Sequence, residues 1–127
     1  MILATRRRDK DGKGEPTRAP LESEEMDFIF IYITNPSKEE ARKIAKYLLK
    51  KKLIACGNIF PINSLYWWEG KIADENEFVL IAKTIEANFE KVKREVEKIH
   101  SYTCPCVIRI PVSSNEKYFD WLRSEVK

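Results

Sequence analysis

The sequence predicts an α+β domain in which four strands form one antiparallel sheet with helices packed on a single face. Three observations lead there. Four segments are rich in β-branched and aromatic residues, among them Phe28-Ile29-Phe30-Ile31-Tyr32-Ile33-Thr34 and Phe78-Val79-Leu80-Ile81-Ala82. Two intervening segments space apolar residues three and four apart with charged residues between them, the period of a half-buried helix. The elements follow one another as βαββαβ, and two βαβ-like halves joined by a hairpin make a ferredoxin-like sandwich. At 127 residues there is room for one such domain and not two.

Residues 1–26 hold turn formers and no hydrophobic period, and are read as a flexible N-terminal extension ahead of a folded domain at 27–127. The first strand, Phe28–Thr34, is a continuous apolar run expected to be buried on both faces. Asn35-Pro36 breaks it. Ser37 and Glu40 form a capping box, and Ala41, Ile44, Ala45, Leu48 and Leu49 give the first helix its apolar stripe. Leu53-Ile54-Ala55-Cys56 starts a second strand, with a bulge expected at Gly57-Asn58, a break at Pro61 and a resumption at Ser64–Trp68. Glu69-Gly70-Lys71 and Asp74-Glu75-Asn76 read as turns, so the third strand is expected at Phe78–Thr84, antiparallel to the second through a long hairpin. Ile85, Phe89, Val92, Val96 and Ile99 mark a second helix ending near His100. Cys106–Val112 is a fourth strand, and Asn115 can cap a last helix through Tyr118, Phe119, Leu122 and Val126. Such a subunit leaves one sheet face open to water although its strands are apolar on both sides. Another subunit is the economical cover.

Composition narrows the function. Hydrophobic residues at 43% and charged residues at 34% describe a globular chain, and no apolar run reaches the roughly 18 residues of a membrane helix. The net charge of +3 is scattered, without the basic face that binds nucleic acid. Three cysteines, Cys56, Cys104 and Cys106, suit a reducing, cytoplasmic setting. No phosphate-binding glycine loop, nucleophile elbow or organic-cofactor motif is present, so an enzyme is not expected.

Two stretches could carry chemistry. In His100-Ser101-Tyr102-Thr103-Cys104-Pro105-Cys106, one imidazole and two thiols are donors suited to Cu or Zn, which makes His100, Cys104 and Cys106 the candidate metal ligands. The same cysteines could pack as small apolar groups while His100 ends the helix. Tyr66-Trp67-Trp68-Glu69-Gly70-Lys71 puts bulky rings on both faces of a strand. Core and subunit contact is the simpler use, and a small-molecule pocket of Tyr66, Trp68, Glu69, Lys83 and Tyr102 is the functional one. Base stacking is set aside, because the strand after the hairpin lacks the aromatic-Gly-aromatic run of RNA-recognition sheets.

Taken in order, Leu53-Ile54-Ala55-Cys56, Ser64–Ile72, Lys83-Thr84, His100-x-Tyr102-x-x-Pro105 and Trp121-Leu122 resemble the CutA divalent-cation tolerance family over residues 28–126. The resemblance implies a ferredoxin-like subunit in a homotrimer. It also implies a cytoplasmic, non-enzymatic protein connected with copper and other divalent cations, similar in form to PII-type signalling trimers. The family's carboxylate after the proline is Cys106 here, and a first-strand cysteine of some members is Ile33. Cys106 restores a ligand and shifts the preference toward softer ions. The expected function is binding metal ions or signalling their presence. The alternative is a PII-like regulatory or scaffolding trimer for a small anionic effector or a partner protein.

The chain contains no Gln and is dense in Lys and Glu, a bias associated with hot environments. Calorimetry should therefore place its unfolding above the roughly 45–65 °C typical of mesophile domains, and a midpoint inside that range would refute thermostability.

Overall fold

The computed structural model describes residues 28–127, so the expected N-terminal extension lies outside the described residues. The elements are β1 (Phe28–Asn35), α1 (Lys38–Lys50), β2 (Cys56–Trp68), β3 (Lys71–Ile85), α2 (Phe89–Ile99), β4 (Val107–Val112) and α3 (Glu116–Glu125). The sheet order is β2-β3-β1-β4 with every neighbouring pair antiparallel, the ferredoxin-like arrangement.

Strand parity builds the core. Ile29, Ile31 and Ile33 of β1 point to one face, where Ala41, Ile44, Ala45 and Leu48 of α1 and Val92 and Val96 of α2 close over them. Burial of each Ile, Leu or Val side chain among them contributes about 1.5–3 kcal/mol. Ser37 caps α1 as expected, its hydroxyl accepting from the Glu40 amide at 3.1 Å. Thr84 donates its hydroxyl to the Leu53 carbonyl at 2.7 Å, and the Asn88 amide reaches the same oxygen, tying the start of α2 to the end of the α1 turn. The opposite face of β1, with Phe30, Tyr32 and Thr34, is half-buried and not closed. The C-terminal helix covers one end of it: Phe119 and Leu122 pack with Phe28, Phe30, Ile85 and Val112. The open face is thus smaller than expected, and its cover is partly the chain's own.

The hairpin departs most from expectation. β2 starts at Cys56, three residues after Leu53, and runs unbroken through Gly57-Asn58 and Pro61 to Trp68. Pro61 is tolerated because β2 is an edge strand, where a missing amide leaves no neighbour unbonded; Pro111 sits on the other edge for the same reason. Gly57 marks close packing instead of a bulge, since a Cβ there would lie 3.0 Å from Leu80 Cδ1. Asp74-Glu75-Asn76 belongs to β3, and the turn is the two residues Glu69-Gly70. Their φ angles of 49° and 77° are the paired positive values of a type I′ turn, whose twist matches the strands it joins. Ile85 ends β3, and a 3₁₀ turn at Glu86–Asn88 precedes α2. Cys106 falls just before β4, and Asn115 takes the N-cap position of α3 without a side-chain bond.

β1 ends its pairing with β3 at Asn35–Phe78, so residues 71–77 of β3 pair with β2 alone. The ribbon that overhangs the sheet exposes Leu65, Trp67 and Ile72 by 66%, 72% and 63%. Two strands alone are marginal in water. The turn is therefore a sensitive point: a Cβ at residue 70 meets nothing within 4 Å, so Gly70→Ala tests the backbone alone. Denaturant unfolding should show a loss of about 1 kcal/mol for Gly70→Ala and less for Gly70→Asn. Equal stability of all three chains would overturn the turn assignment.

Candidate functional site: an acidic groove on the open face

Parity along the hairpin sorts its side chains. On the face opposite the helices, Tyr66 and Trp68 of β2 stand beside Glu75 and Glu77 of β3. The segment after α2 lies against that face and adds Tyr102, Cys104 and Cys106. Together with Tyr32 of β1 they line a groove of about 970 Å³. Four aromatic rings, two carboxylates and two thiols are present, and no Lys, Arg or His lines it among the described residues.

Two tyrosine–carboxylate pairs organise the acidic side. The Tyr66 hydroxyl donates to Glu75, and that bond, aided by burial, pushes the phenol up to about 12. The Tyr102 hydroxyl donates to Glu77 Oε2 at 2.6 Å. Burial first and the Glu77 carboxylate second raise the Tyr102 phenol above its usual range. Glu77 is only 6% exposed. Both phenols keep their protons at neutral pH, so they act as donors that steady the carboxylates. Burial likewise pushes the Cys106 thiol up, against a hydrogen bond from Thr34 that lowers it.

His100 has a different role from the expected one. Its side chain has no exposed surface and lies beneath the groove. The Tyr102 amide donates to Nδ1 at 3.0 Å, so Nε2 carries the proton and donates to the Thr34 carbonyl at 2.8 Å. Glu40 Oε2 lies 3.4 Å from Nδ1, but it accepts from the Ser101 amide at 3.1 Å and hydroxyl at 2.9 Å, not from the ring. The capping-box carboxylate is thereby drawn away from the helix terminus to hold the loop. With both ring nitrogens bonded, His100 positions residues 101–106 and is not free to ligate. The expected trio of His100, Cys104 and Cys106 is not assembled: among the described residues no three His, Cys, Asp or Glu groups converge as a metal cluster.

The expected pocket is partly assembled. Tyr66, Trp68 and Tyr102 line the groove, as do Cys104 and Cys106. Glu69 stands in the turn, and Lys83 lies nearer the far end of the sheet face, its ammonium 5.8 Å from the Phe30 ring centre and 5.5 Å from that of Tyr118. Glu75, Glu77 and Tyr32 were not anticipated. The signal for the glutamates was their spacing of two, hidden because Asp74-Glu75-Asn76 reads as a turn.

The His100 geometry makes a test. Asn at this position can accept the Tyr102 amide in an Asx turn but cannot reach the Thr34 carbonyl as the imidazole does. At fixed protein concentration, His100→Asn should cost about 1–3 kcal/mol in denaturant unfolding and His100→Ala more. Losses within about 0.5 kcal/mol, as at an ordinary surface residue, would refute the positioning role.

Comparison with known proteins agrees with this architecture. The family model described as CutA1 divalent ion tolerance protein matches residues 29–125. The chain is 54% identical over 99 residues to a divalent-cation tolerance protein CutA of Archaeoglobus fulgidus, spanning 77% of this chain and 97% of the relative. A protein of the same name from Pyrococcus horikoshii is 44% identical over 100 residues, or 78% and 98% of the two chains. A solved structure described as the periplasmic divalent cation tolerance protein CutA of Archaeoglobus fulgidus superposes with a TM-score of 0.77 at 51% identity, over 79% of this chain and 99% of that one. A groove built on this fold and a match over nearly the whole described domain lead to one conclusion: the chain belongs to the CutA1 divalent ion tolerance family.

Proposed function

We propose that this protein serves divalent-cation tolerance as a non-enzymatic, cytoplasmic homotrimer that binds metal ions, or signals their presence, through the groove. The observation that supports this reading is the groove's lining: Glu75, Glu77, Cys104 and Cys106 with no basic group among the described residues. A cleft lined by one sign of charge concentrates the opposite ion. Thiol and carboxylate donors suit Cu and Zn. In this reading Cys104 and Cys106 stay as ligands, and His100 holds the loop that carries them.

The assembly draws support from the apolar surface. Leu65, Trp67 and Ile72 on the overhanging ribbon and Ile108 and Ile110 on the β4 edge are exposed in the single chain. Contact with neighbouring copies would remove them from water. Three free cysteines suit a reducing compartment, and no described helix is long and apolar enough to cross a membrane. The non-enzymatic reading draws on His100, whose bonded nitrogens leave no base for a neighbouring thiol. The PII-like alternative draws no support from the groove, whose charge repels an anionic effector, while Lys83 lies outside its lining.

Native mass spectrometry of the reduced protein, with and without Cu(I) and Zn(II), tests the proposal. The expected spectrum is a trimer holding a fixed number of ions per subunit, reduced in a Glu75→Gln/Glu77→Gln variant. A bare trimer would overturn metal binding, and a monomer would overturn the assembly.

A further inference from the structure

The aromatic wall of the groove has no partner for its rings. Tyr32, Tyr66, Trp68 and Tyr102 all line it. Elsewhere in the domain lysines stand over aromatic rings: Lys51 lies 5.2 Å from the Tyr47 ring centre and Lys93 5.9 Å from that of Phe89. Among the described residues no cation stands over any of the four groove rings, and Tyr32, Tyr66 and Trp68 stack on no other ring. Tyr102 has the His100 ring against it, with centres 4.7 Å apart. Lys71, opposite Trp68 in the ladder, neither lines the groove nor sits over the indole. Tyr66 and Tyr102 donate their hydroxyls to Glu75 and Glu77, which polarises both phenols and adds electron density to their rings.

Electron-rich rings beside two carboxylates favour one class of guest. A metal ion needs several donors converging within about 2.0–2.6 Å of one point. Among the described residues no three His, Cys, Asp or Glu groups do so. A methylated ammonium needs no inner ligand. Its charge is spread over a hydrocarbon skin, so it leaves water at low cost and settles against aromatic faces in a negative field. The size of the groove, about 970 Å³, is at the upper end of the roughly 300–1,000 Å³ of small-molecule sites and far beyond what a single ion fills. Ile62, Leu65 and Ala73 continue the lining with apolar surface that suits a hydrocarbon skin. We infer that the groove binds a small organic cation of the methylated-ammonium class, its head among Tyr32, Tyr66, Trp68 and Tyr102. Glu75 and Glu77 supply the field, and no basic group lines the groove among the described residues to cancel it. Such a site stands whether or not the groove also takes metal ions.

Tetramethylammonium is the probe. Tert-butanol, similar in size and uncharged, and ammonium, charged but without the hydrocarbon skin, are the comparisons. The reduced full chain is titrated with each by calorimetry at neutral pH and constant ionic strength. The expected result is saturable binding of tetramethylammonium, with tert-butanol and ammonium each at least about tenfold weaker. Trp68→Leu, which keeps an apolar side chain and removes the ring, should weaken tetramethylammonium about tenfold and leave tert-butanol unchanged. Equal binding of tert-butanol would reduce the groove to an apolar cleft, and equal binding of ammonium would reduce it to a patch of charge; either overturns the inference, as does the absence of saturation. These three comparisons use the parent chain, so they decide the matter even if Trp68→Leu fails to fold. Metal uptake measured on the same preparation separates the two readings. Copper or zinc bound without tetramethylammonium would overturn the organic-cation site alone, and the reverse would overturn metal binding alone.

Discussion

Burial of Ile29, Ile31 and Ile33 under α1 and α2 sets the phase of β1, and the rest of the molecule depends on that phase. β1 is hydrogen-bonded on both sides, to β3 and to β4, so its pleat is imposed on both neighbours and, through β3, on β2. A slip of one residue would drive three isoleucines into water and bring Phe30, Tyr32 and Thr34 against the helices. Three aliphatic burials of about 1.5–3 kcal/mol each exclude that alternative. The acidic groove is the complement of the core: Glu75 and Glu77 face it because Leu80 and Ala82, an odd number of residues along β3, face the helices.

The second constraint is polar. Glu40 at the start of α1, Ser101, His100, Tyr102 and Glu77 form a continuous relay of hydrogen bonds and short contacts from the helix layer to the groove. His100 bridges it to the Thr34 carbonyl near the end of β1. Each member satisfies a group that burial would otherwise leave costly, and removing the imidazole would orphan a donor and an acceptor at once. The segment that carries Cys104 and Cys106 is irregular in backbone, so its placement comes from this relay and not from a ladder. That is how an invisible residue beneath the groove governs the residues that line it.

The open face joins the two. α3 covers its end near Phe28 and Val112, and the overhanging ribbon extends the other end beyond β1. Between them lie exposed Phe60, Ile108 and Ile110 and the acidic groove. An apolar field thus surrounds a patch of like charge on one surface. Covering such a field would lower the dielectric around the carboxylates and strengthen any electrostatic interaction they make.

The residues determined locally what local chemistry can determine. Four-three spacing placed α1 and α2, Ser37 began α1, and β-branched runs located the four strands, because period and capping act within a few residues. The motifs along the chain were enough to identify the family, since their order survives without coordinates. Tyr66, Trp68 and Tyr102 were legible as pocket residues, and Cys104 and Cys106 as candidate ligands, because aromatic and thiol side chains are conspicuous; that the two sets line one groove was not. The tertiary structure decided what depends on partners distant in sequence. Strand pairing across the hairpin overrode the turn preference of Asp74-Glu75-Asn76, because β2 supplied a ladder for every one of those residues. The same pairing brought Glu75 and Glu77 to the groove and put Lys83 nearer the far end of the face. The fate of His100 was settled by Thr34, 66 residues away, whose carbonyl holds the proton on Nε2 and leaves the lone pair on Nδ1, where the Tyr102 amide takes it. Periodicity reveals which side chains can share a face; only register and long-range hydrogen bonding decide which ones do.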